Sequence, residues 1–297
     1  SLPSRDQTDT ALSQQVRALT QIGQVRLEQG RHGPALAAFE GAHARAEELH
    51  RRAPQDGDRL FDLSQAEYWI GLVAWRQRDL DRAERWMRAY RDRTEALVKL
   101  DPSRFDWQRE VAYAYHNLAV LDDGRGRHAQ AAAAFEQELA LYREWLPAHP
   151  DDTLLRFEAA NVASWLGSTS ARLGRLEAAE AYFLEADQGH AANQATEPDV
   201  MAWTDNRIDA SVLLGKMRLR RGQAGLAREG LRAAAASATA LSRHDPENAA
   251  WRRSHGNALV ALATAELACG DVGAAAAAMD RARPVLASAL AEAPKEE

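Results

Sequence analysis

Apolar residues recur along this chain at steps of three and four, broken at regular points by glycine, proline and charge. The first stripe is Leu12, Val16, Leu19, Ile22 and Val25, a spacing that lines one side of a helix. Gly30 to Gly33 interrupt it. Pro34 suits the first turn of a following helix, where its missing N–H would have no partner in any case. Leu36, Phe39, Ala42, Ala46 and Leu49 then form a second stripe that stops at Pro54. No stretch alternates with period two over several residues, so the pattern predicts helices and no sheet.

This helix pair returns every 48 residues without an insertion. Pro54, Pro102, Pro150, Pro198, Pro246 and Pro294 keep the period, and so do Ala35, Ala83, Ala131, Ala179, Ala227 and Ala275. Four residues after each alanine stands Phe39, Met87, Phe135, Phe183, Leu231 or Met279. Before the alanines come Ile22-Gly23, Ile70-Gly71, Leu118-Ala119, Leu166-Gly167, Leu214-Gly215 and Leu262-Ala263. A fixed period of this length marks a solenoid, in which each unit packs mainly on its neighbours. The expected organisation is a leader over 1–10, with Asp9 or Thr10 capping the first helix, and a single array over 11–297. Its units are 11–58, 59–106, 107–154, 155–202, 203–250 and 251–297. Twelve helices follow, each about 20 residues and so roughly 30 Å long.

Gly126, Gly174, Gly222 and Gly270 fall in the turn inside a unit, where a left-handed residue ends the first helix without strain. Unit 2 has Arg78-Asp79 there, which predicts a less relaxed turn. Asp101-Pro102 and Asp245-Pro246 read as an N-cap with a first-turn proline, opening the next unit.

The Leu-Gly pair, the alanine twelve residues after the glycine, the aromatic four later and a further small residue at Ala42, Ala186, Ala234 and Ala282 resemble the tetratricopeptide-repeat family. The resemblance spans all six units, essentially residues 11–294. It implies an all-α, right-handed superhelical solenoid of six antiparallel helix pairs. The family's unit is roughly 34 residues. This one adds seven residues before the Leu-Gly pair and seven after the signature alanine, about two turns per helix. The family's early aromatic survives only as Tyr115, against Leu19, Glu67, Ala163, Ser211 and Leu259 in other units. Arrays with long units look similar to bacterial signalling and interaction modules fused to effector domains. Trp107, Trp203 and Trp251 belong to the added turns and are expected to pack between units.

Composition then narrows the function classes. Apolar residues make up 46% of the chain, ample for a continuous core. No run approaches the roughly 18 uninterrupted apolar residues of a membrane span, so none is expected in this chain. The start at Ser1 suggests a fragment or a processed form. Net charge is −6, with eight acidic against four basic residues over 107–154 and seven against three over 155–202. Residues 203–250 reverse this, with eight basic against five acidic. An acidic middle argues against the continuous basic track that nucleic acid requires. Cys269 has no second thiol and reads as a small core hydrophobe. His43 and His50 could share a helix face, yet no carboxylate or thiolate completes a ligand set. Glu47-Glu48 and Asp122-Asp123 point apart on a helix and make poor acid–base partners. No catalytic residue, cofactor or metal is expected, and the chain does not read as an enzyme.

In the resembling family the first helices line the concave surface. By alignment this surface carries Phe61, Gln65, Tyr68, Leu72 and Trp75 in unit 2, beside Arg109, Tyr113, His116, Val120 and Asp123 in unit 3. Unit 4 adds Asn161 and Arg172, and unit 5 adds Lys216 and Arg220. Aromatics with a polar tip dominate units 2 and 3, a composition that binding surfaces favour. A family subtype clamps a C-terminal carboxylate with basic and Asn residues, but only Asn117 falls at a matching place, so that clamp is not expected. The reading is a non-catalytic scaffold that binds a peptide or protein segment on the concave face. The alternative is a ligand-sensing regulatory domain of a larger bacterial signalling protein, fused to a kinase or NTPase. A cytoplasmic location is expected, or a periplasmic one for a fragment.

The second helix of unit 6 carries Ala274 to Ala278, Met279, Val285, Leu286 and Leu290, with Pro284 expected to bend it. Asp280, Arg281, Arg283 and Glu292 offer partial capping by charge. The sharper expectation is a homodimer through this C-terminal unit.

Overall fold

The computed structural model describes residues 8–291, with side chains to Ser288. Residues 1–7 of the expected leader, Glu292 and Pro294 lie outside the described residues, as does the side chain of Leu290. The helices are α1 (Asp9–Glu28), α2 (His32–Arg52), α3 (Gly57–Arg76), α4 (Leu80–Leu100), α5 (Phe105–Gly124) and α6 (His128–Trp145). They continue as α7 (Thr153–Arg172), α8 (Leu176–Thr196), α9 (Met201–Arg220), α10 (Ala224–His244), α11 (Ala249–Ala268) and α12 (Val272–Ala291). A 3₁₀ turn, Leu146–Ala148, follows α6, and no strand occurs among the described residues. Two helices per period make the chain an all-α helical repeat solenoid. Its helices group into two compact units that meet in sequence within α6, one up to Glu138 and one from Leu139. In the first, α1 packs on α2, α2 on α3, α3 on α4 and α4 on α5. In the second, each helix from α7 to α12 packs on the next.

The helix ends follow local chemistry, with corrections to the expected caps. Thr8 rather than Asp9 or Thr10 caps α1, its hydroxyl accepting from Ala11 N at 3.2 Å. Asp9 instead ties α1 to Arg52 at 2.9 Å and to Arg59 at 2.8 Å. Asp101 and Asp245 do not open the next helix. Each ends its own, α4 and α10, and its carboxylate accepts from the backbone two residues on, Ser103 N at 2.9 Å and Glu247 N at 3.1 Å. Such a local turn competes with helix initiation, so α5 and α11 start three residues or so later.

Inside the units, Gly30, Gly126, Gly174, Gly222 and Gly270 hold the left-handed turn, with φ between 71° and 82°. Arg78 takes the same turn at φ 63°, where a side chain costs about 1–2 kcal/mol. The less relaxed turn of unit 2 is therefore real, and Asp79 offsets part of it by capping α4 through Arg82 N at 3.1 Å.

The repeat signature is a packing device. Ala35, Ala83, Ala131, Ala179 and Ala227 are fully buried, and Phe39, Phe135 and Leu231 show no exposed surface. Gly167 faces the Phe183 ring so closely that a Cβ would lie 2.8 Å from it, and Gly23 meets Phe39 in the same way. Met279, at the equivalent place in α12, is 38% exposed. Trp107 packs against Leu60 and Leu97 of the preceding unit, as the added turns require. Trp203 lies 5.4 Å from Phe157, and Trp251 packs on the α10–α11 core.

At the C-terminal end the expectation for Cys269 is corrected. Cys269 is the C-cap of α11 and only partly buried, because the helix ends there and exposes its last turn. Leu286 faces inward onto Gly256 and the α10–α11 core, and α12 runs on through Pro284. The apolar residues that remain exposed here are Leu267, Val272 and Met279.

Candidate functional site

Within the first compact unit, α3, α4 and α5 line a half-open cavity of about 380 Å³. Gln65 and Tyr68 reach it from α3, and Glu110, Tyr113, His116 and Asn117 from α5, each set at the three- and four-residue steps that share a helix face. Tyr90 completes the wall from α4. It occupies the register held by Ala42, Ala186, Ala234 and Ala282 elsewhere, so a large ring stands where the repeat ordinarily keeps its helices close.

Glu110 is the polar centre of this cavity. Its Oε2 accepts from the Tyr90 hydroxyl at 2.5 Å and from Gln65 Nε2 at 2.8 Å. It forms no ion pair among the described residues. Glu84, by contrast, is met by Arg88 at 2.6 Å, Arg127 at 2.8 Å and Arg125 at 3.1 Å. Burial pushes the Tyr90 phenol well above its ordinary range, and the neighbouring Glu110 charge adds to the rise. The Tyr68 phenol also moves up, chiefly through burial, with Arg76 pulling the other way. Both hydroxyls therefore stay protonated at neutral pH. The Tyr68 ring sits 5.5 Å from Tyr90 and 5.1 Å from Trp69, which fixes its plane.

The α5 side is braced from behind. Arg109 donates to the Tyr113 hydroxyl at 2.6 Å, with its guanidinium 5.6 Å over the ring. Asn117 donates to the Tyr113 carbonyl at 2.7 Å. His116 Nδ1 lies 3.0 Å from Oε2 of the buried Glu138. A carboxylate partner assigns the proton to that nitrogen. Glu138 is a second departure from the small-residue register, one unit after Tyr90.

Of the residues selected from sequence, Gln65, Tyr68, Tyr113 and His116 line the cavity, and Arg109 buttresses it. Phe61 does not. It packs against Leu60, Leu97 and Trp107, because its position at the start of α3 lies under the added turn of the next unit. Trp75 is 44% exposed in the last turn of α3, outside the cavity lining. In the second compact unit, Asn161 is half-buried on α7, and Arg172, Lys216 and Arg220 are exposed on α7 and α9. Tyr90 and Glu110 were missing from the sequence selection, which followed first-helix stripes alone. The loss of alanine at Tyr90 was the available signal.

Among the described residues no group of three or more His, Cys, Asp or Glu could hold a metal ion. No described helix is long and apolar enough to cross a membrane. What the cavity offers is aromatic surface, one carboxylate and several amide and hydroxyl groups, the makings of a recognition site.

A helical hairpin repeated at a strict period, with small residues at the crossing and an aromatic between units, defines a helical-repeat class. A tetratricopeptide-repeat family model matches residues 160–188, which contain Leu166-Gly167, Ala179 and Phe183 of unit 4. Over 97% of this chain and 95% of the other, the fold is similar to that of BtubC (BKLC) from P. vanneervenii, with TM-score 0.62 and 20% identity. A putative kinesin light chain of Podosopora anserina with nearly identical TPR-like repeats matches 78% of this chain and 97% of its own, with TM-score 0.52 and 16% identity. A Rap protein complexed with competence and sporulation factor matches 93% of this chain and 66% of its own, with TM-score 0.51 and 14% identity. No curated protein matches the sequence. The family match covers residues 160–188, and the likeness to solved structures shows a helical-repeat fold built here on 48-residue units.

Proposed function

We propose that this chain is a non-catalytic interaction scaffold that holds a peptide or protein segment on the first-helix face of units 2 and 3. The observation that carries this reading is the cavity between α3, α4 and α5, walled by Tyr68, Tyr90 and Tyr113. Rigid aromatic rings with polar tips give large contact area at low ordering cost. The fold likeness to a Rap protein that carries a bound factor supports the same use of a helical repeat.

Panning a displayed random-peptide library on the full chain tests the proposal. Enriched peptides should lose more than about 1 kcal/mol of binding with Tyr68→Ala and with Tyr113→Ala, the loss typical of a contact that matters. Both side chains are half-buried, so cooperative unfolding should survive the truncations. A library that yields no specific peptide removes the scaffold reading. Variants that unfold without a selective binding defect show that the tyrosines only pack.

Self-association through the C-terminal unit belongs to the same proposal, supported by the exposure of Val272 at 65% and Met279 at 38%. Because Leu286 is partly buried against the α10–α11 core, the exposed Met279 is the place for the informative variant, Met279→Glu. Sedimentation should show a dimer at micromolar concentration that this substitution dissociates, and a concentration-independent monomer rules the dimer out.

A further inference from the structure

We infer that the cavity walled by Tyr68, Tyr90 and Glu110 receives the ammonium group of a lysine side chain from the bound segment. The inference rests on the scaffold reading and names the chemistry of one residue of its occupant.

Charge comes first. Glu110 has no cationic partner among the described residues, although it lines a cavity and sits in a unit with eight acidic and four basic residues. Its two contacts, from Tyr90 and Gln65, both end on Oε2, so Oε1 is left without a hydrogen-bond partner among the described residues. Neutral donors hold that carboxylate in place but do not neutralise it. An entering cation would gain a charge-assisted hydrogen bond to a group whose position is already fixed.

The walls suit the same guest. Tyr68 and Tyr90 pack on each other, 5.5 Å apart by centroid with planes tilted by 51°, and an ammonium over the half-buried Tyr68 ring would be attracted by its quadrupole. The Tyr68 hydroxyl has no hydrogen-bond partner among the described residues, so its lone pairs can accept a second N–H. Arg109 over the Tyr113 ring shows the same pairing formed within the chain.

Geometry then selects lysine over arginine. A guanidinium binds a carboxylate best through two parallel bonds to both oxygens. Here Oε2 is occupied, which leaves one oxygen and favours a compact ammonium with three donors. A carboxylate-bearing guest would meet Glu110 with like charge. The one histidine in the lining, His116, is held by Glu138.

The test uses the full chain with tyrosine rings labelled for NMR and N-acetyl-lysine N-methylamide as probe, beside its norleucine and arginine counterparts. The lysine probe should shift the Tyr68 and Tyr90 ring signals saturably, and the norleucine probe should bind at least about tenfold more weakly. Glu110→Gln keeps a carbonyl oxygen for the Tyr90 hydroxyl, so it preserves the wall and should weaken the lysine probe by about tenfold. Tyr68→Phe should bind the probe better than Tyr68→Leu, which removes the ring. Library-enriched peptides should carry a lysine whose replacement by norleucine weakens binding about tenfold in the native chain, with little effect in Glu110→Gln. Tighter binding of the arginine probe overturns the assignment to lysine. Specific peptides indifferent to lysine and to Glu110→Gln overturn the inference and leave the scaffold standing. A saturable lysine probe with no specific peptide supports the ammonium site and removes the peptide scaffold.

Discussion

Truncating Phe39 to alanine should lower stability by about 3–5 kcal/mol, the range for deleting a buried aromatic ring. Phe39 has no exposed surface and stacks on Trp69 at 5.4 Å with the planes 9° apart. Leu27, Ala35, Ile70 and Val73 complete its surroundings. Gly23 opposes the ring, so α1 has no side chain at that position to swing into the void. The flanking helices are also pinned, α1 to α2 by Arg45 and Gln15 at 2.5 Å and α1 to α3 by Asp9 and Arg59 at 2.8 Å. Collapse is therefore resisted and the cavity term persists. Met279→Ala is the internal control, since it holds the same register but is 38% exposed, and should cost less than about 1 kcal/mol. Urea unfolding of the two variants measures the difference. Equal losses would mean that the shared register does not report shared packing.

Helix positions were legible because the period demands them. A proline at the end of each unit, a glycine in five of the six inner turns and an alanine at each crossing leave one way to fold each 48-residue segment. The same regularity hides departures from it. Tyr90 and Glu138 fill a small-residue register, and only coordinates show that the first opens a cavity while the second locks His116. Glu110 follows Arg109 directly and lies off the stripe that alignment selected. Gln65, Tyr68, Tyr113 and His116 line one cavity, because steps of three and four share a helix face wherever the helix lies. Phe61 shows the limit of that logic. Periodicity identifies the stripe, but whether its end is covered depends on Trp107, some 46 residues away in sequence. Cys269 failed for a related reason, since burial at the end of a helix depends on which face meets a neighbour.

Lowering the pH should destabilise the second compact unit through His190, by roughly 2–3 kcal/mol between neutrality and pH 4. His190 on α8 is 2% exposed, lies 5.9 Å from Phe157, and leaves its Nδ1 buried without a hydrogen-bond partner. Desolvation lowers its pKa from 6.5 to about 4, against the opposing pull of Asp187. Because the folded pKa is below the unfolded one, the unfolded chain binds more protons between the two values. Stability is then full above about pH 6.5, falls as the pH drops toward 4, and levels off once both states are charged. Replacing His190 by leucine removes this proton uptake and leaves the carboxylates and the other histidines in place. His255, whose pKa burial also lowers, titrates equally in both proteins and cancels in the comparison. Urea unfolding at about pH 7.5, 5.5 and 4 should show the leucine variant gaining on the native chain by roughly 2–3 kcal/mol across the series. Parallel curves would place the proton on His190 in the folded protein and end this account of its burial.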